Sequence, residues 1–214
     1  MRTVSNVFVV ILNAAPKGHG RKEVVHDYSR ACQVCGIGAE QVGPLKLRRS
    51  DLPRSTRPAH RIIETWDGDV LLHESLIRSL LELGDRALEF REVEVEGAGA
   101  ASNWWQLVTT IELGPMRPET TAFRQDTRNL LPCPACGRDA WYDKPEGGIV
   151  VYDAVVERVF RKHVVAMTWE RFGRAVRGEN WASPRYVVSA RLRSVLDTHR
   201  QRHVRYLPVC FIDG

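Results

Sequence analysis

Cys32-Gln33-Val34-Cys35-Gly36 and Cys133-Pro134-Ala135-Cys136-Gly137 are the stretches that decide how this chain of 214 residues is read. In each, two intervening residues let both sulfurs turn toward one point. The glycine after the second cysteine permits a positive φ, so backbone N–H groups can approach the thiolates. Pro134 pre-sets the second turn. Four thiolates at about 2.3 Å from one ion, in a tetrahedron, make a closed structural zinc site. The spacing therefore predicts that Cys32, Cys35, Cys133 and Cys136 share one structural Zn2+. An iron–sulfur cluster uses the same four sulfurs and stays open as a rival. A redox CxxC pair sits after a strand and opens a helix, and neither motif has that context. Two unrelated pairs of buried thiols are the remaining alternative.

Between Cys35 and Cys133 lie 97 residues, far more than a compact zinc ribbon uses. Closing the longer loop costs roughly 1.5 kcal/mol extra, whereas zinc binding in peptide sites supplies on the order of 10–16 kcal/mol. The metal wins. The segment from about 43 to 125 is then an insertion between two CxxCG knuckles, within a single domain spanning 1–214.

The flanking segments predict mixed secondary structure. Val7 to Leu12 is continuously apolar and β-branched, as in a strand buried on both faces. Its six-residue run is shorter than the roughly 7–15 residues of an export signal. Ala15 to Gly20 carries turn chemistry. The stretch from Gly43 to Pro58, rich in Pro, Ser and Arg, reads as an exposed loop. Leu72, Leu76, Leu80 and Leu83 recur at helical spacing, which predicts a helix over Asp69 to Leu83 stopped by Gly84. Leu88 to Glu96 alternates, Gly97 to Ala101 reads as a turn, and Trp104 to Leu113 as the returning strand of an antiparallel hairpin. Ile149 to Tyr152, Tyr186 to Val188 and Val204 to Ile212 are further strands. Ser189 is the expected N-cap of a helix from Ala190 to His199. Strands and helices interleave without a βαβ rhythm, so the expected fold is α+β with a mixed or antiparallel sheet.

Composition narrows the class. The apolar share of 43% and charged share of 27% are those of a globular protein. No stretch approaches the roughly 18 apolar residues of a membrane span. Five cysteines, four of them in CxxC pairs, point to reduced thiols and a cytoplasmic location rather than a disulfide framework. Cys210, in an apolar run, is expected to pack as a small hydrophobe. The net charge of +5 is uneven, with twelve Lys/Arg against four Asp/Glu between Ala154 and Tyr206. That basic C-terminal subregion, about 149–214, suits a solvated surface, or else phosphates or an acidic protein surface. Glu89, Glu92, Glu94 and Glu96 form an opposing acidic patch. His163 and the run His199 to His203 are weak phosphate candidates. Trp104-Trp105 suits a core anchor better than a base-stacking platform. The nucleotide-loop, zinc-protease and serine-hydrolase motifs are all missing. No acid/base pair stands out, and four cysteines leave no open metal position. The chain is therefore not expected to be an enzyme.

The doubled CxxCG in a chain of this size resembles the myxobacterial double-CxxCG family, associated with swarming-inhibition immunity. The similarity runs through Leu131 to Arg138, Val159-Phe160-Arg161, Arg171-Phe172, the helix from Ser189, and Tyr206-Leu207-Pro208-Val209. It covers about the last 85 residues plus the first CxxCG, and leaves Gly43 to Thr120 unmatched. The resemblance implies a cytosolic immunity protein that neutralises a cognate polymorphic toxin. It departs from the acidic character common where a nuclease toxin is plugged, because this chain is basic overall. The runner-up from the residues themselves is a zinc-ribbon nucleic-acid-binding or regulatory protein using the basic C-terminal third.

Overall fold

The computed structural model describes residues 2–12, 23–53, 61–65, 68–96, 103–126, 131–175, 177, 182–199 and 204–213. The expected turns at Ala15 to Gly20 and Gly97 to Ala101, and residues 200–203 of the run that begins at His199, lie outside them.

The first apolar run becomes β1 (Arg2–Leu12), the middle strand of a five-stranded sheet. Its neighbours are β13 (Tyr186–Ser189) and β14 (Val204–Ile212), both antiparallel to it. β11 (Val150–Asp153) adds parallel to β14, and β12 (Val165–Met167) adds antiparallel to β13. As expected of a strand buried on both faces, Val7, Val9 and Ile11 enter one core while Val10 enters another. Pro208 sits in an interior strand, where its missing N–H would break a ladder. It lies opposite Phe8, where the β1–β14 register shifts between Val4 and Phe8. The irregularity absorbs the proline.

On one face of this sheet, α2 (Ala154–Phe160) buries Val156 and Phe160 against Tyr152, Val209 and Phe211. On the other, α3 (Ala190–Thr198) packs Leu192 and Leu196, with Ser189 Oγ accepting from the Leu192 N–H at 3.3 Å. The same core receives a second, four-stranded sheet in the order β4 (Ile62–Glu64), β5 (Val70–His73), β8 (Trp104–Val108), β6 (Glu89–Glu92). Period-two alternation divides that sheet between two cores. Ile62, Leu72 and Leu107 face the first sheet, and Ile63, Leu71 and Trp104 face the other way. There they meet Leu45 and Leu47 from a third sheet, β2 (Glu23–Asp27), β3 (Glu40–Arg48) and β7 (Glu94–Glu96). β9 (Phe123–Gln125) and β10 (Trp141–Asp143) form a separate pair beside the second CxxCG. The chain is thus mixed α+β, with several sheets and three helices among the described residues. No helix among them is long and apolar enough to cross a membrane.

Three expectations change. The helix predicted from Asp69 starts only at Glu74, as α1 (Glu74–Leu81), because Val70 to His73 is strand. All four residues of that strand are buried between two cores, and a short apolar run with no polar face fits strand or helix equally until its partners appear. His73 then caps α1, its Nδ1 accepting from the Ser75 N–H at 3.2 Å. The loop expected from Gly43 to Pro58 holds the second half of β3 and a 3-10 turn at Arg49–Asp51, with Leu45 and Leu47 fully buried. Residues 54–58 of that stretch are not described. The hairpin exists as the antiparallel pair β6–β8, but its first arm breaks at the buried Val93. β7 then leaves to pair in parallel with β3. The returning strand ends at Val108, and Glu112 instead bridges to Met167 at the edge of the first sheet.

Candidate metal centre

Each CxxCG folds as a single tight turn. The Gly36 N–H donates to the Cys32 carbonyl at 2.8 Å, and the Gly137 N–H donates to the Cys133 carbonyl at 2.8 Å. Both glycines have positive φ, 81° and 64°, where a side chain is strained. At Gly36 a Cβ would also come within 2.9 Å of the Tyr28 ring, so the backbone is pressed against an aromatic wall.

The two turns face each other across 101 residues of sequence. Cys32 Sγ lies 3.8 Å from Cys133 Sγ, and Cys35 Sγ lies 3.5 Å from Cys136 Sγ. All four sulfurs fall within 4.8 Å of one another. Four sulfurs at about 2.3 Å from a common centre have tetrahedral edges of about 3.8 Å, so this spacing is that of a single-ion shell. It is too wide for a disulfide, whose sulfurs sit at about 2.05 Å, and all four cysteines are free. The structure thus brings together the four residues that the spacing singled out, and they could hold a metal ion.

The electrostatics of the cluster favour a cation. Burial pushes the Cys35 and Cys136 thiols above their ordinary range. Cys32 goes the other way, to about 7, chiefly because the Cys35 backbone N–H donates to its sulfur. Backbone N–H groups of Ile37 and Arg138 likewise favour the thiolates of Cys35 and Cys136, against that burial. One thiolate is stabilised and its neighbours resist ionisation, which is the frustration a divalent ion relieves by adding positive charge at the centre.

Residues beyond the cysteines hold the turns in place. Asp139, only 2% exposed, accepts the Cys133 N–H at 2.7 Å through Oδ1 and the Ala175 N–H at 3.1 Å through Oδ2. Gln125 Nε2 donates to the Gly137 and Asp139 carbonyls at 2.8 and 3.0 Å. Arg177 Nη1 donates to the Gln33 carbonyl at 2.8 Å, and its guanidinium lies 5.8 Å from the centre of the Tyr28 ring. Ile37, Ala175 and Ala182 close an apolar wall around the sulfurs. Sequence reasoning missed these supports. Asp139 follows Cys136 by three residues, but nothing local marks it as a support.

The other candidates land elsewhere. Trp104 is buried in a core, while Trp105 is half-buried beside α1. Cys210 is buried in the first sheet. His163 Nδ1 lies 3.2 Å from Asp85, and His199 Nδ1 lies 3.4 Å from Arg61. Glu89, Glu92, Glu94 and Glu96 are all exposed, with Glu94 3.7 Å from Lys46. No family model, no curated protein and no solved structure matches the chain.

Proposed function

We propose that this chain is an immunity protein that binds and neutralises a cognate toxin in the cytoplasm, held in shape by a structural zinc ion. The observation that carries this reading is the convergence of two CxxCG turns on one four-sulfur shell. That doubled motif carries the resemblance to the double-CxxCG family, and a shell filled by four thiolates leaves no open position for catalysis. Zinc fits better than a multi-iron cluster. Such a cluster places iron and sulfide atoms between the thiolates and spreads them further apart than these sulfurs stand. The ion serves the fold, and occlusion of the toxin by a stoichiometric partner needs no turnover.

The test is co-expression with the product of the neighbouring gene, followed by purification of the pair. Rescue of growth and a 1:1 complex are expected. Toxicity that persists with the immunity protein well expressed overturns the reading. The nucleic-acid alternative draws on the basic C-terminal third, but much of that charge is engaged internally. Arg185 bonds Glu64 and Asp143 at 2.8 Å each, Arg171 bonds Glu112, and Arg193 lies over the Phe8 and Tyr206 rings. Retention on DNA or RNA that falls steeply with salt would revive it.

A further inference from the structure

The geometry points to the groove between α1 and Trp105 as the docking face for a basic amphipathic segment of a partner protein. This rests on the reading above that the chain works by binding another protein. The groove is shallow and open to solvent, with a volume of about 550 Å3, and is lined by Glu74, Ile77, Arg78, Leu81, Glu82 and Trp105.

Of its apolar lining, Ile77 packs against the core beneath, while Leu81 and Trp105 belong to none of the cores. Leu76 and Leu80 already supply the buried stripe of α1. Leu81, at the helix end, is 61% exposed. Trp105 lies on the core-facing side of β8, two residues before the buried Leu107, yet it joins none of the hydrophobic cores. A half-buried tryptophan outside the cores, with an exposed leucine beside it, is the kind of aromatic anchor that protein interfaces use.

The rim selects the charge of the partner. Glu74 and Glu82 flank the groove on α1, and Glu92 stands directly opposite Trp105 on β6. These three carboxylates are exposed and have no ion-pair partner among the described residues. Arg78 is the one cation in the lining. Glu82 is also the C-cap of α1, where the helix dipole disfavours negative charge. A residue that breaks a local rule without a compensating contact is most simply explained by function. The acidic rim repels anionic lipid headgroups and attracts Lys or Arg side chains, so the occupant is a cationic polypeptide with an apolar face.

Two probes test this: the toxin encoded beside the gene, and a synthetic Leu/Lys amphipathic helix with its Leu/Glu counterpart. Binding is measured by calorimetry at two salt concentrations for Leu81→Ser, Trp105→Ala, the double variant E82K/E92K, and Val155→Ser on the exposed face of α2 as control. Each groove variant is expected to weaken both the toxin complex and the Leu/Lys peptide by tenfold or more, with Val155→Ser within twofold of the parent. Leu81 is exposed, so its loss reads binding even if Trp105→Ala lowers the melting temperature. A toxin complex unchanged in all groove variants overturns the groove and leaves the immunity reading standing. Groove-dependent peptide binding without any toxin complex does the reverse. Leu/Glu peptide binding as tight as Leu/Lys overturns the assignment of a basic partner. A dimer of the protein alone that Leu81→Ser dissolves overturns it in favour of a second copy. Failure of both probes to bind overturns both readings.

Discussion

Asp139→Ala is the most searching perturbation of the metal centre, because it touches no cysteine. The carboxylate is buried and accepts two backbone N–H groups, Cys133 at 2.7 Å and Ala175 at 3.1 Å. Truncation orphans both donors away from water, at about 1–3 kcal/mol each, so the expected loss of folding stability is about 2–6 kcal/mol in all. The Cys133 N–H belongs to a ligand residue, so part of that loss falls on metal binding. Supports of this kind typically cost 10–100-fold in affinity when removed. Asp139→Asn keeps one acceptor oxygen and should lose about half as much. The assay pairs urea unfolding with zinc competition against a chromophoric chelator. An Asp139→Ala protein with parental zinc affinity and an unchanged unfolding midpoint would refute the argument that this carboxylate holds the site together.

Three further outcomes concern other parts of the molecule. Cys133→Ser, and the parent protein stripped by a strong chelator, should share a lowered melting temperature and loosened near-ultraviolet circular dichroism, since structural zinc energy is folding energy; elemental analysis finding no metal in protein purified under reducing conditions would contradict this. Val188→Ile should raise stability in urea by up to about 0.8 kcal/mol, because Val188 borders an apolar cavity of about 40 Å3 between the first two sheets and α3; a lower midpoint would mean the cavity cannot take a methylene. Glu170→Gln should stabilise the protein at pH 8 but not at pH 4. Burial is the largest cause raising the Glu170 carboxyl above its usual range, and its Oε2 is buried without a partner. The folded state therefore holds this proton to higher pH than the unfolded chain, and stability falls as pH rises from about 4.3 through the folded value. Parallel pH profiles for the two proteins would rule that out.

The four-cysteine cluster was legible because its signal is local. Two residues between cysteines and a following glycine are fixed by covalent geometry, whatever surrounds them. The same holds for Ser189, whose hydroxyl caps the next helix within three residues, and for β1, whose unbroken apolar run demands burial on both sides. What stayed hidden depends on distant partners. Val70 to His73 has no period of its own and becomes strand through pairing with β4 and β8. Leu45 and Leu47 do alternate with Lys46 and Arg48, but Gly43, Pro44 and the following arginines masked the period as loop chemistry. Asp139 looked like any acidic loop residue, and nothing in the chain announces that Cys133 and Ala175 both point their N–H groups at it.

Charge is where sequence and structure diverge most usefully. Net charge counts every ion alike, and it left the C-terminal third as either a solvated surface or a place for a ligand. In the fold, Arg171, Arg185 and Arg193 are engaged by carboxylates and aromatic rings. Such groups add little to an outward field, because a paired charge presents a dipole rather than a pole. Glu74, Glu82 and Glu92 contribute only three negative charges, but they stand in water without ion-pair partners among the described residues, beside an exposed leucine and a tryptophan outside every core. The surface a partner meets is set by the charges left unpaired. On a chain of net +5, the described residues around α1 nonetheless present unpaired charge of the acidic sign.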